Sequence, residues 1–213
     1  MSLPPIVYED DHLIVFDKPA GLLIAPDRWD ANLPNLVTLV RDAFGPELAN
    51  AHRLDKETSG VVLFAKTTDV LRDLTRMFED RAIEKRYWAL VSPPPRVEAG
   101  EIAHNLAPDE RKPGRMRVLP AGKPAHTKYR VAESWRGRWA AVELQPTTGR
   151  THQLRVHLAT IGARSSAIRP TAARPRRNRP TCNAKPAAIG PNQTPATTAR
   201  FSNGSRYTRR RSA

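Results

Sequence analysis

The chain has 213 residues, 39% hydrophobic and 26% charged, with a formal net charge of +14. That is enough for one ordinary domain or a domain with an extension, and the composition permits a packed core. One cysteine, Cys182, excludes a disulfide framework and any multi-cysteine zinc site, and fits a reducing, cytosolic compartment. The opening "MSLPPIVYED" lacks the basic and apolar regions of a secretory signal, and no apolar run reaches membrane-spanning length.

The basic charge is unevenly placed. Twelve of the 35 Lys and Arg residues fall in 163–213, which has no Asp or Glu, so residues 1–162 carry 23 basic against 21 acidic side chains. A near-neutral domain with a basic tail favours a nucleic-acid partner.

In chain order, "IVY" and "HLIVFDKP", separated by "EDD", predict a hairpin, and "KPAGLL" turns the chain. Leu36, Leu39, Val40 and Phe44 have helical spacing, closed by Gly45-Pro46. "GVVLFAKT" predicts a buried strand. A second helix follows, with Val70, Leu71, Leu74, Met77 and Phe78 on one face and Thr/Asp residues at its start. "EKRYWALVS" is a strand stopped by three prolines. Four further strands are expected over residues 100–145, in "GEIAHNL", "RMRVLPAG", "AHTKYRVAES" and "WAAVELQP". "TTGRTHQLRVHLATIG" turns into a helix with Leu154, Leu158 and Ile161 on one face. Hairpins dominate, so the fold class is α+β rather than doubly wound. Residues 163–213 contain no Leu, Val, Met or Trp and are rich in Pro and Arg, which predicts a disordered tail.

Three segments carry candidate chemistry. In "AHRLDKETSG", Arg53 and Asp55 are two apart, so in extended chain they face the same side, and Thr58-Ser59-Gly60 bends the chain into the next strand. On spacing alone, the plainer reading of Asp55 is a surface ion pair with Lys56 or Arg53. In "GRTHQLRVH", Arg150 and Arg155 bracket a helix start, where an arginine can hold a phosphate or a carboxylate; a solvated basic helix has the same pattern. Tyr87 and Trp88 point to opposite faces of one strand, leaving open which faces the core. The six histidines are scattered, and His152 and His157, five apart on one helix, fall on different faces, which argues against a zinc site.

"HRLDKETSG", "EKRYWALV" and "GRTHQLRVHLATIG", in this order, resemble the motifs of RluA-type pseudouridine synthases, across residues 6 to 162. His52 stands where the sister branch of small-subunit ribosomal RNA enzymes has glycine. The resemblance implies a pseudouridine synthase catalytic fold, with a mixed, mostly antiparallel sheet, flanking helices and a central cleft. It implies isomerisation of uridine in ribosomal or transfer RNA by a cytoplasmic monomer, with no organic cofactor, no metal and no membrane. By motif position, Asp55 attacks the ribose or the uracil ring, Tyr87 stacks on the base and assists proton removal from C5, and Arg155 pairs with Asp55. Arg53 fills the gap left by the flipped nucleotide, Leu154 and Val156 border the base, and His52 and Arg150 complete the substrate-binding set. The alternatives are a non-catalytic RNA-binding protein and an inactive truncated synthase.

The pattern stops at Gly162, without the Gly-Asp…Tyr-Gly continuation of such enzymes. Residues 1–162 therefore read as a catalytic domain incomplete at its C-terminus, and 163–213 as a frame-shifted translation or a basic RNA-binding tail, with reduced solubility and activity expected.

Overall fold

The structure, a computed structural model, describes residues 2–27, 30 and 32–171. Strands β1 (Ile6–Glu9) and β2 (Leu13–Lys18) form the expected hairpin. Asp10 closes it, its Oδ1 accepting from the amides of His12 and Leu13, both at 2.8 Å. Helix α1 (Leu36–Phe44) starts at Asn35, whose side chain accepts from the Thr38 amide; this satisfies one of the donors a helix start leaves open. Strand β3 (Ala49–Asn50) was not anticipated, being two residues long. Strand β4 (Gly60–Ala65) leads to helix α2 (Thr68–Glu79), capped by the Thr67 side chain.

Strands β5 (Arg86–Ser92), β6 (Ala99–Pro108), β7 (Met116–Val118), β8 (Lys123–Trp135) and β9 (Trp139–Pro146) follow, then helix α3 (Gln153–Thr160). Gly162 ends α3 in the left-handed region, at φ 78°. The amides of Gly162 and Ala163 return to the carbonyls of Ala159 and Leu158, at 3.1 and 3.0 Å. This is a Schellman turn, a position that favours glycine.

The turn corrects one expectation. Residues 164–171 form a strand, β10 (Arg164–Thr171), inside the stretch expected to be disordered from residue 163. The Schellman turn delivers the chain alongside β5, and an antiparallel ladder from Arg164↔Ser92 to Thr171↔Arg86 forms through backbone groups, which every residue of the strand except Pro170 carries in full. Ala163 and Ile168 are buried, at 0% and 3% exposure, which anchors the strand locally. The expectation for 172–213 lies outside the described residues.

The strands form two sheets, in the orders β1-β2-β4-β3 and β10-β5-β9-β8-β6-β7. Every ladder is antiparallel. The mixed character expected reduces, among the described residues, to isolated parallel bridges at Leu23↔Asn35 and Thr58↔Ile168. One core packs Phe16, Phe64, Leu36 and Val40, with the Phe16 and Phe64 rings edge to face at 5.5 Å. The other packs Val91, Val142, Leu144 and Leu158. Tyr87 touches both cores, and the candidate site lies where they meet.

Candidate active site

The floor of the site is built from buried backbone. Lys18, at the end of β2, is fully buried, and its Nζ donates to the carbonyls of Pro19 (2.8 Å), Leu22 (2.8 Å) and Lys56 (3.0 Å). An ammonium has three donors, and all three are used. Burial pushes its pKa down to about 8, while the charges of Glu57 and Asp55 hold it up. The Gly21 amide also donates to the Lys56 carbonyl, at 2.8 Å. Thr58 N–H bonds the Asp55 carbonyl (3.0 Å), and Ser59 N–H bonds the Ile168 carbonyl of β10 (3.3 Å). The backbone is thus fixed from Asp55 to Ser59.

His52 lines the cleft but is committed to the scaffold. Its Nε2 accepts from the Leu63 amide at 3.2 Å, and its ring lies 5.0 Å from that of Phe78 in α2. Burial, then the charge of Lys85, pushes its pKa down to about 4, so the ring is neutral at neutral pH, as an acceptor nitrogen requires. Arg53 is exposed at the cleft lining.

Tyr87 settles the question left open by alternation. It faces inward opposite Leu144, and Trp88 faces out. Burial, then the negative charge of Asp55, raises the Tyr87 pKa to about 12.

The roof is the turn into α3. Gln153, buried in the first turn, holds it together. Its Oε1 accepts from Thr148 Oγ1 (2.8 Å) and the Arg150 amide (3.0 Å), and its Nε2 donates to the His126 carbonyl (3.0 Å) and Thr127 Oγ1 (2.9 Å). Arg150 lines the cleft while its Nε donates to the Pro124 carbonyl at 3.1 Å.

Asp55 meets the roof at its carboxylate. Oδ2 lies 4.0 Å from Arg155 Nε, and Oδ1 lies 4.0 Å from His152 Nε2. Among the described residues no hydrogen bond to the Asp55 carboxylate is made, and Arg155 Nη2 is buried without a partner. His152 caps α3 in the left-handed region, at φ 52°, with no side-chain capping bond. For a non-glycine residue this backbone is costly, and such residues concentrate at functional sites. Lys85 enters from the other wall, its Nζ donating to the Thr148 carbonyl at 3.3 Å. Burial, then the charge of Arg81, lowers its pKa.

Together these walls enclose a cleft of about 490 Å³, within the usual range for a small-ligand site. Leu154 lines it; Val156, two residues on and so on another side of α3, is half-buried and outside the lining. Among the described residues no cluster of three His, Cys, Asp or Glu side chains is placed to hold a metal ion. Sequence reasoning missed Lys18, Lys85, His152 and Gln153. For His152 and Gln153 the signal was available in the quoted motif, but was read as ordinary helix.

The profile of the RNA pseudouridylate synthase family matches residues 12–160. This chain belongs to that family. It is 39% identical over 158 residues to the dual-specificity RNA pseudouridine synthase RluA of Salmonella typhi, covering 74% of this chain and 72% of that protein. It is 40% identical over 164 residues to the ribosomal large subunit pseudouridine synthase D of Nitrosomonas europaea, covering 74% of this chain and 46% of that protein. Among solved structures it resembles human RNA pseudouridylate synthase domain containing 4, with a TM-score of 0.61 and 32% identity, covering 75% of this chain and 66% of the human one.

Proposed function

We propose that this chain isomerises uridine to pseudouridine in RNA, with Asp55 acting on a nucleotide flipped into the cleft. The observation that carries this reading is the convergence of Asp55, Tyr87 and Arg155. They come from a loop, a strand and a helix, yet Asp55 and Arg155 approach to 4.0 Å and Tyr87 feels the Asp55 charge.

The chemistry exchanges one bond for another. The N1–C1′ bond breaks, the C5–C1′ bond forms, C5 loses a proton and N1 gains one. Asp55 supplies the carboxylate that attacks the ribose or the ring, and the bond it forms breaks again in the course of C5 joining C1′, which regenerates the carboxylate. The loose contacts around it tighten when a base fills the cleft, as is common for sites seen without substrate. Arg155 then spends its free Nη2 donor on the substrate or on Asp55. Tyr87 remains a neutral phenol at physiological pH, since its pKa is raised to about 12; it stacks on the base and assists proton removal from C5 through its hydroxyl's hydrogen bonds, the proton itself passing to water. A base within a duplex must be extruded, at a cost of a few kcal/mol. Exposed Arg53 offsets part of that cost by entering the vacated stack. His52, Arg150 and Leu154 shape the cleft, and Val156 stays outside its lining.

The substrate we propose is ribosomal or transfer RNA, the enzyme acting as a cytoplasmic monomer. In the described residues no helix is long and apolar enough to cross a membrane.

Because the product has the mass of the substrate, the test follows the C5 proton. RNA carrying tritium at uridine C5 should release it to water with the wild-type chain, and Asp55→Ala should abolish release while RNA binding persists. Tritium release by Asp55→Ala at the wild-type rate refutes the assignment.

A further inference from the structure

The β8–β9 hairpin ends in "WRGRW", residues 135–139. Trp135 and Trp139 sit directly opposite one another in the ladder, so both rings lie on one face of the sheet. Each is 40% exposed. Ala140, Val142 and Leu144 alternate onto the other, buried face. Trp88, also 40% exposed, faces the same way as the tryptophan pair, being opposite Glu143 in the neighbouring ladder. A sheet face with three exposed tryptophans is unusual for a surface, since large exposed apolar groups mark contact sites.

The turn between the tryptophans is cationic and strained. Arg136 and Gly137 both have positive φ, 51° and 62°, and the Arg138 amide closes the turn on the Trp135 carbonyl at 3.0 Å. Asn or Gly is usual where Arg136 stands. A left-handed arginine is strained, and such strain persists at functional positions. Among the described residues, neither Arg136 nor Arg138 forms an ion pair with a carboxylate. Glu133 is engaged by the Trp135 indole N–H at 2.8 Å, which fixes the edge of a ring that stays 40% exposed.

Flat aromatic faces beside unpaired arginines suit one partner chemistry: unpaired nucleotides, whose bases stack and whose phosphates take the cations. The tip lies seven residue steps along β9 from Pro146 at the cleft, about 23 Å. We infer that the "WRGRW" tip is a second docking element, which holds an unpaired stretch of the substrate RNA away from the target uridine. The inference rests on the reading of RNA as substrate, but not on any catalytic residue.

The test uses the full chain and two probes, a short oligouridylate and a stem-loop with a single-stranded extension. Trp135→Leu with Trp139→Leu keeps an apolar pair and removes the stacking faces. Affinity for the extended stem-loop should fall about 10- to 100-fold, the scale of one or two lost base stacks. Arg136→Gly with Arg138→Ala places glycine where φ is positive and keeps a side chain where it is not, so the turn keeps its shape. It should lower the slope of log affinity against log salt by about 1.4, two single-strand phosphate contacts. The turnover number for saturating RNA should not change in either pair. If both variants bind the probes like wild type, the tip inference falls and the cleft reading stands. If the wild-type chain binds neither probe, both fall. If the tryptophan variants instead dissolve a dimer and leave RNA affinity unchanged, the face docks a second copy and the inference is overturned.

Discussion

The floor and the roof of the cleft treat charge in opposite ways. On the floor, Lys18 is fully buried and spends all three donors on carbonyl oxygens between 2.8 and 3.0 Å. On the roof, Arg155 is 30% exposed, reaches Asp55 only at 4.0 Å, and leaves Nη2 buried without a partner. An unsatisfied buried donor costs about 1–3 kcal/mol, so a fold keeps one where something else can use it. The difference separates two duties that both involve Asp55. Lys18 fixes where the backbone of the loop goes. Arg155 leaves a donor unspent, which we propose serves the reacting state.

The comparison breaks most visibly at Lys18. Lys18→Met retains the stem and removes the ammonium, leaving the Leu22 carbonyl buried without a donor and loosening the Asp55 loop. Loss of about 3–5 kcal/mol in urea unfolding is expected. A loss below about 1 kcal/mol would falsify the clamp. Arg155→Gln should show the reverse split. It removes a donor the fold does not satisfy, so stability should hold or rise by up to about 1–3 kcal/mol, while tritium release should slow about 100- to 1000-fold. Parallel losses of stability and activity at Arg155 would erase the distinction between floor and roof.

The two duties also differ in how far the sequence reveals them. Asp55, Tyr87 and Arg155 lie in motifs whose order and spacing are specific, and strand alternation narrowed Tyr87 and Trp88 to one inward ring. The β1–β2 hairpin, the helices and the strands from β4 to β9 followed from apolar period and turn residues. Lys18 did not. A lysine at a strand end is solvated in most settings, and its burial here depends on carbonyls at positions 19, 22 and 56 that meet only in the folded chain. His152 was read as a helical position, whereas its left-handed backbone sets it apart from the helix and turns it toward Asp55. β10 was concealed by composition. A Pro/Arg-rich average over 51 residues outweighed the nine nearest the core, and ladder bonds with β5 carry no residue signature.

That strand gives the next test, because it closes the floor from the side. Ile168 is buried, lines the cleft, and its carbonyl receives the Ser59 amide at 3.3 Å. Ile168→Ser should cost about 2–3 kcal/mol, through lost apolar burial and a poorly housed hydroxyl. The Ser59 amide should also exchange with deuterium faster. An unchanged unfolding midpoint together with an unchanged Ser59 exchange rate would detach β10 from the site.

The smallest effect concerns protons, and it separates His52 from Lys18 by pH. The His52 pKa is about 4 in the folded chain, against 6.5 for an ordinary histidine. The unfolded chain therefore takes up a proton first as pH falls. The stability contributed by neutral His52 is present above pH 6.5 and is lost as pH drops towards 4. His157, buried and also near 4, adds a slope of the same sign. His52→Gln keeps an acceptor for the Leu63 amide but cannot be protonated, so its acid limb should be shallower than wild type, by about 1–2 kcal/mol between pH 6.5 and 4. Lys18 does not interfere there. Its folded pKa near 8 lies below the ordinary 10.5, so the unfolded chain holds the extra proton only between those values, and stability rises with pH across them. Urea unfolding at a series of pH values checks both signs at once. Acid limbs that stay parallel for wild type and His52→Gln would mean that His52 takes up its proton as readily in the folded chain as in the unfolded one, and does not accept from Leu63.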